Sequence, residues 1–490
     1  MNNYTNIKVI GFDLDGTILN TLQDLTNAVN YGLEKFNYPK RTIMEIMSFI
    51  GNGVNKLIER SLPNSIKNEN YDNVLKEFRN YYLNHYYDFT VPYDGVKETL
   101  IRLKEAGFVL ALMTNKLEVV AKDLIERFYP SLFDIVIGDD PIRNKKPALD
   151  YANILFKKCH VTGNEVLYIG DTNVDYEFAK NANMNLILVD YGYRKQSDLK
   201  AFNEAKVISH PYEILSLLDL KGRKLHFSRL NNARDFNNLK GFEGKMIKPF
   251  RIIRSENLSH LTEEDQNKLF KQLNVKVVID FRDKDEIIGR EDKLIEGVKY
   301  HNIPLLPDND KLEAVARKYQ NGKLSYQDKL ELMYKQDPNF SPYTLMAENY
   351  TTLLTHPYSI KGYKKFLDIV KNNKEGAILF HCAGGKDRAG VAALLIELIL
   401  SVDILDIKKD YLLTNSNYEP NLKYTLDKVD KINHPHLIDI LKATILAYPL
   451  YFDYAISAIE EKYKNHLDYI KNTFDYNDED IEDFRKNYLF

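Results

Sequence analysis

KVIGFDLDGTILNT, residues 8–21, is a short apolar run that ends on two carboxylates two residues apart, Asp13 and Asp15, followed by Gly16. In an extended chain such residues point the same way, so both carboxylates face one reaction centre. Bare, they repel and one protonates. A divalent cation removes the conflict, and hard oxygen ligands suit Mg²⁺. Gly16 permits the tight turn that follows. Working outward, runs rich in Val, Ile and Leu recur at 108–113, 134–138, 166–170 and 186–190. Continuous apolar runs of this length predict strands buried on both faces of a parallel sheet. The carboxyl ends of such strands converge on one edge. To that edge LALMTN brings Thr114 and Asn115, KKPALD brings Lys145 and Lys146, and YIGDTNVD brings Asp171 and Asp175. Acids for a metal, a hydroxyl and a cation for phosphoryl oxygens are what phosphoryl transfer asks for. The insert at 19–89 is patterned as helix.

A second stretch, ILFHCAGGKDRAGVAALLIELIL at 378–400, predicts strand, loop and helix. Cys382 follows the strand, and Arg388 stands six residues later. Gly384 and Gly385 let the loop turn its N–H groups inward. A helix beginning near Gly390 aims its positive end at the same place. Such a cradle favours a thiolate and binds a phosphate dianion. Arg388 can grip two phosphoryl oxygens, and Cys382 can attack phosphorus without a metal. A lone buried Cys is usually a small hydrophobe, which suits Cys159 in FKKCHV. His381 is expected to orient the loop. His434 and His436 in NHPHL lack acids or cysteines at ligand spacing and are expected in a turn.

At about 150 residues per domain, 490 residues suggest two large domains or three ordinary ones. With 44% apolar and 28% charged residues a packed core is available. Lys plus Arg number 67 against 70 acids, a net charge of −3, which argues against a dedicated nucleic-acid or membrane-surface protein. Two cysteines cannot form a disulfide framework and suit a reducing compartment. The N-terminus lacks the basic start of a secretory signal. The longest apolar run, 391–402, contains Glu397 and falls short of the ~20 residues of a membrane span. The expectation is a cytoplasmic protein with no nucleic-acid partner and no integral membrane association. KGRK at 221–224 marks a boundary between domains 1–220 and 225–490. In the second, strand-like runs recur at 275–281 and 377–380. Residues 308–373 are charged, Tyr-rich and helix-patterned, and 401–490 are helical. The acidic run at 478–483 suits the first turn of the last helix. The fold class expected is two three-layer α/β domains with parallel-type sheets, the first Rossmann-like.

Residues 6–215 resemble the haloacid-dehalogenase-like phosphohydrolases, with all four family motifs in order. YDGVKETLIRLKEAGF at 93–108 and Gly51-Asn52-Gly53 are most similar to the phosphoglycolate phosphatase branch, although Asn20 stands where that branch usually has Asp. The resemblance implies Asp13 as nucleophile and Asp15 as general acid and then base. It implies phosphate contacts from Thr114, Asn115 and Lys146. It implies Mg²⁺ held by Asp13, Asp15 (through its carbonyl) and Asp171 with support from Asp175, and a helical cap at 19–89. The expected substrate is a small phosphorylated metabolite.

HCAGGKDRAG resembles the loop of the bacterial tyrosine-phosphatase-superfamily enzymes that act on phosphotyrosine, phosphoserine/threonine and phosphoinositides. The resemblance spans about 225–490. FSRLNNARDFNNL (227–239), VVIDFRDKDE (277–286) and DYLLTN (410–415) are similar to that family's further motifs. It implies a tyrosine-phosphatase-like fold with Cys382 as nucleophile and Arg388 as phosphate clamp. The loop residues Ala383, Gly384, Gly385 and Lys386 would surround phosphate, with Lys386 reaching a second phosphate on an inositol ring. Asp387 is the implied general acid, with Asp280 as alternative. No cofactor is implied, and 308–373 sits where relatives carry a helical lid. The partner class is a phosphotyrosine protein or a phosphoinositide. Relatives have Thr or Ser after the Arg, where this chain has Ala389, and Phe236-Asn237-Asn238 replaces their Gly-Gly. The hydroxyl helps the thiolate leave phosphorus, so its loss predicts slower phosphoenzyme hydrolysis. Two alternatives stay open: a second domain that captures phosphate but barely turns over, and a first domain that transfers phosphate as a phosphomutase does.

Overall fold

The computed structural model describes residues 4–194, 196–199, 202, 205–218, 220, 224–237, 239–307, 326–337, 339–427 and 436–490. The chain divides into two compact units, Met1–Lys221 and Gly222–Phe490. Three residues of the 221–224 boundary lie outside the described residues.

The first unit is built on β1 (Val9–Phe12), and its neighbours in space come from far along the chain. Between β1 and the next long strand lie β2 (Leu19–Asn20) and β3 (Val91–Pro92), which pair antiparallel with each other. The main sheet adds β4 (Val109–Leu117), β5 (Ile135–Asp139), β6 (Val166–Gly170), β7 (Asn185–Val189) and β8 (Lys206–Ile208). Its order is β5-β4-β1-β6-β7-β8, with every pairing parallel. Alternate residues of these strands enter two different apolar clusters. Ile10, Phe12, Leu110, Leu112, Leu167 and Ile169 belong to one. Val9, Ala111, Met113, Val166 and Tyr168 belong to the other. Both faces are therefore covered, as continuous apolar strands require, and the unit has three layers. Five strands match apolar runs of the sequence. The sixth, Lys206–Ile208, is a three-residue edge strand with no such run. The insert between β2 and β3 is helical at Leu22–Lys35, Ile43–Phe49, Val54–Ser61 and Tyr71–His85.

The second unit has a five-stranded sheet of β9 (Arg234–Asp235), β10 (Ile252–Ser255), β11 (Val275–Asp280), β12 (Lys299–Asn302) and β13 (Ala377–His381). Its order is β12-β11-β13-β10-β9. It is parallel except for the edge pair β9–β10, which is antiparallel. Ser255 and Asp280 both lie opposite His381, so the loops after β10, β11 and β13 leave the sheet at one level. The helix after the cysteine loop begins at Asp387, three residues earlier than the sequence suggested, and runs to Ile399.

The segment expected as a lid, 308–373, is described only in part. Residues 308–325 and 338 lie outside the described residues. Beyond them, Pro342–Thr355 and Pro357–Asn372 are helices, but they bury Tyr350, Leu353, Leu354, Tyr363, Phe366 and Leu367 in the main core of this unit. These two helices turn their apolar stripes to that core. No helix among the described residues is long and apolar enough to cross a membrane.

Candidate active sites

In the first unit, Asp13 follows the last residue of β1, and Phe12 lies opposite Leu112 on one side and Ile169 on the other. Thr114, two residues beyond Leu112 where the β4–β5 register breaks, and Asp171, directly after β6, therefore flank Asp13 at the sheet edge. Oxygens of Asp13, Asp171 and Asp175 lie within 4.8 Å of one another. Gly16 closes the turn at φ +84°, where a Cβ would sit 2.3 Å from Asp171 Oδ2. Only glycine lets the β1 loop approach this carboxylate so closely.

One buried lysine is shared among these acids. Lys146 Nζ lies 2.9 Å from Asp13 Oδ1 and 2.8 Å from Asp175 Oδ1, and donates to Tyr168 Oη at 2.7 Å. Asp175 is the better satisfied acid: its Oδ2 accepts from the Thr172 hydroxyl at 2.7 Å and from the Thr172 N–H. Burial pushes Asp175 up, but Lys146 and Thr172 outweigh it and hold the carboxyl below its ordinary value. Asp13 is pushed up to about 6 by burial, reinforced by Asp175 and Asp15 against the pull of Lys146. Asp171 rises well above the carboxylate range through burial, then through Asp175 and Asp13. Its Oδ1 is buried with no hydrogen-bond partner among the described residues. Three carboxylates against one lysine, with one oxygen unused, form a site short of positive charge. Hard oxygen donors at this spacing fit a small divalent cation such as Mg²⁺.

Asp15 is held apart from this cluster, its Oδ1 accepting from the Thr21 hydroxyl at 2.6 Å and from Lys116 Nζ at 2.9 Å. Thr114 is buried at the end of the cavity that also reaches Asp13, Asp15 and Lys146. Asn115 lines the same cavity, and its side chain accepts from the Lys146 N–H and donates to the carbonyls of Lys146 and of Gly51 in the insert. Lys145 pairs with Asp139 at 2.7 Å, away from the acids.

In the second unit, Cys382 is buried directly after β13. The loop that follows has its carbonyls tied outward. Ala383 O accepts from Asn257 Nδ2 at 2.9 Å, and Gly384 O accepts from Tyr418 Oη at 2.6 Å and from Asn232 Nδ2 at 3.0 Å. Gly385 O and Lys386 O accept from Arg254 at 2.8 and 3.0 Å. With the carbonyls held on the outside, the N–H groups are free to point inward, as an anion nest needs. Gly385 has φ +65°, and a Cβ there would come 2.4 Å from Ser255 O. Arg234 and Arg254, both buried, share Asp410 at 3.5 Å each, and Arg234 donates to Asn232 Oδ1 at 2.6 Å. The 227–239 and 410–415 motifs thus meet behind the loop.

Arg388 is aimed by Glu286, which takes its two terminal nitrogens at 2.5 and 2.8 Å. Asp283 Oδ2 stands 3.8 Å from the same guanidinium. Burial pushes the Asp283 carboxyl up to about 6, against the pull of Arg388. Asp387 Oδ1 accepts from Tyr350 Oη at 2.7 Å. Two expectations are corrected. Asp280 is fully buried, chelated by Arg282 at 3.0 and 2.8 Å and by Tyr300 Oη, so it is a structural anion and not a proton donor at a cleft. Lys386 is also buried, donating to the carbonyls of Ala443 and Leu446, so its ammonium does not reach toward a second phosphate. Burial lowers its pKa. His381 Nδ1 lies 3.2 Å from Cys382 O, which accepts from it when that nitrogen is protonated, and His381 Nε2 meets Asp292 at 2.9 Å. Arg282 lies within hydrogen-bond reach of both Asp280 and Asp292 and balances that cluster's charge. His434 lies outside the described residues, and His436 stacks on Tyr334. Glu286 and Asp283 were missed as site residues. Their signal was present in VVIDFRDKDE, but nothing local links it to an arginine 102 residues away.

A family model described as the tyrosine phosphatase family matches residues 225–490, and one described as haloacid dehalogenase-like hydrolase matches residues 10–189. A phosphoglycolate phosphatase from Aliivibrio fischeri is 32% identical over 219 residues, which covers 43% of this chain and 96% of that relative. One from Vibrio cholerae is 34% identical over 194 residues, covering 38% of this chain and 86% of its own. A solved haloacid dehalogenase-like hydrolase from Streptococcus pneumoniae is 22% identical with a TM-score of 0.40, covering 43% of this chain and 98% of that one.

Proposed function

From the premise that this chain belongs to the tyrosine phosphatase family through residues 225–490 and to the haloacid dehalogenase-like hydrolases through residues 10–189, we propose that it joins two phosphomonoesterases of different chemistry. The first attacks phosphorus with oxygen and needs a cation. The second attacks with sulfur and does not.

In the first, Asp13 attacks phosphorus and the ester P–O bond breaks. Asp15 gives the departing alkoxide a proton and later takes one from the water that hydrolyses the aspartyl-phosphate. Thr114 and Lys146 hold phosphoryl oxygens, and Asn115 positions Lys146 through its main chain. Mg²⁺ would be held by Asp13, Asp171 and the Asp15 carbonyl, where it supplies charge neutralisation for the phosphoryl group. Asp175 anchors Lys146. The helical insert walls the cavity from one side with residues such as Leu57, Phe78 and Tyr82, which suits a small phosphorylated metabolite, as the names of the relatives suggest.

In the second, the Cys382 thiolate attacks phosphorus inside the nest of inward N–H groups, and Arg388 holds two phosphoryl oxygens. The leaving oxygen takes a proton from Asp387, and water then releases phosphate from the cysteinyl-phosphate. The outward tethering of every loop carbonyl from Ala383 to Lys386 carries this reading. The substrate class is a phosphotyrosine protein or a phosphoinositide. Asp283 is a second reading for the proton donor, because its carboxyl is raised to about 6 beside Arg388.

The test is hydrolysis of an aryl phosphate by wild type, Asp13→Asn, Cys382→Ser and the double variant, each with and without EDTA. EDTA should remove only the part lost in Asp13→Asn. A chelator-insensitive activity that survives Cys382→Ser overturns the second assignment.

A further inference from the structure

The carboxyl assigned as proton donor at the second site is held by one oxygen only. Asp387 opens the helix Asp387–Ile399, and its side chain is 28% exposed. Its Oδ1 accepts from the Tyr350 hydroxyl at 2.7 Å and lies 3.3 Å from Lys386 Nζ. Among the described residues no hydrogen bond or ion pair reaches its Oδ2. The Lys386 ammonium has three donors and three acceptors, Ala443 O, Leu446 O and Asp387 Oδ1, so it is fixed in place. Tyr350 comes from the helix Pro342–Thr355 and is buried. Its hydroxyl also meets Tyr411 Oη at 2.8 Å, on the helix Ile404–Asp427. A phenol has one proton to donate. Tyr350 gives its proton's bond to Asp387, so Tyr411 donates to Tyr350, and the donors run from Tyr411 through Tyr350 to Oδ1. Burial pushes both phenols up, with Asp387 adding to it, so both keep their protons. Two other phenols stand near enough to feel the Asp387 charge, Tyr363 on the helix Pro357–Asn372 and Tyr451 on the helix Pro449–Glu460. Their hydroxyls donate elsewhere, to Arg388 O and Ala443 O.

We propose that Tyr350 is a positioning residue for the second reaction: together with Lys386 it pins Asp387 Oδ1 as an acceptor, so that the proton for the leaving oxygen sits on Oδ2. This rests on the reading of Asp387 as the proton donor. An ammonium only donates, so the oxygen beside it accepts whether the carboxyl is protonated or not. Both bonds to Oδ1 strengthen as Oδ2 gives up its proton and the group becomes a carboxylate. The carboxyl therefore reacts without turning, and the bonds are stronger in the transition state than before it. A helix packed in the core thus reaches the chemistry through one hydroxyl. The demand is greatest for a poor leaving oxygen, an alkoxide or an unsubstituted phenoxide, which departs only with a proton.

The experiment uses the full chain carrying Asp13→Asn in EDTA and compares kcat/KM for p-nitrophenyl phosphate and phenyl phosphate, whose leaving groups differ in their need for a proton. This ratio reports the first bond cleavage and is blind to slow breakdown of the cysteinyl-phosphate. Asp387→Asn should raise the ratio, because phenyl phosphate suffers more. Tyr350→Phe, which keeps the ring in the core, should raise it by roughly two- to tenfold, the contribution of one hydrogen bond. Tyr411→Phe should raise it more weakly, and Tyr350→Phe added to Asp387→Asn should raise it no further. Equal losses on both esters in Tyr350→Phe mean a structural role only and overturn the proposal. So does a Tyr350→Phe ratio at the starting value while Asp387→Asn raises it. Where Tyr350→Phe does not fold, Tyr411→Phe decides by the same two criteria. A ratio that Asp387→Asn leaves unchanged is a separate outcome, which overturns Asp387 as the donor and this inference with it.

Discussion

Replacing Ala389 by Ser or Thr should speed the second enzyme. Ala389 is the third residue of the helix Asp387–Ile399, fully buried, one position after the arginine clamp. No hydrogen bond reaches Cys382 Sγ among the described residues, whereas the loop around it is tied at each carbonyl from Ala383 to Lys386. The cradle therefore looks complete for binding phosphate and incomplete for releasing sulfur. A hydroxyl donating to the departing thiolate is worth about 1.5–3 kcal/mol, which is roughly ten- to a hundredfold in the rate of cysteinyl-phosphate breakdown. The opposing cost is packing. Filling a close-packed site in the core costs about 1–3 kcal/mol of stability for added methylenes, so Ser should be cheaper than Thr and both should lower Tm. The assay is rapid-quench hydrolysis of an aryl phosphate by the Asp13→Asn chain with EDTA. Wild type should show a burst of about one product per site followed by a slow steady state. Ala389→Ser should keep the burst and raise the steady-state rate at least tenfold. A wild type without a burst, together with an unchanged rate in both variants, refutes the reasoning.

Glu286→Gln removes the charge that aims Arg388 and leaves that guanidinium buried without its bidentate partner; breaking such a pair costs about 3–5 kcal/mol, so Tm should fall, and inorganic phosphate should restore more stability to the variant than to wild type. If Asp283 donates the proton, it must be protonated, so the metal-independent kcat/KM should fall as pH rises through about 6, and Asp283→Asn should remove that limb; if Asp387 donates, Asp387→Asn and not Asp283→Asn should depress the metal-independent kcat/KM. Asp171→Asn should raise Tm in EDTA, because it removes one of three mutually repelling buried carboxylates, and should abolish both Mg²⁺-dependent stabilisation and Mg²⁺-dependent turnover. Asp175→Asn should lower Tm, because it strips Lys146 of its best-satisfied partner.

The groups proposed to react were legible because each lies at or just beyond the end of an apolar run, and strand ends share an edge. Asp13, Thr114, Asp171 and Cys382 needed only the period of apolar runs and the direction of a parallel sheet. The strands that stayed hidden have local reasons. Ile252–Ser255 carries a buried Arg254, and Lys299–Asn302 is polar, so neither shows an apolar run. A charged, Tyr-rich pattern is also what a core helix shows on its outer face, and only packing reveals that Tyr363 and Phe366 lie in the core.

Local sequence thus pointed to the atoms proposed to attack phosphorus, since each candidate nucleophile and its glycines lie within a few residues of one another. Tertiary structure decided how those atoms are held: Glu286 on Arg388, Arg254 and Asn232 on the loop carbonyls, Lys116 on Asp15 across 101 residues. Charges buried away from water must find a partner, and the partner is chosen by what the folded chain brings within 3 Å, at whatever distance along the sequence.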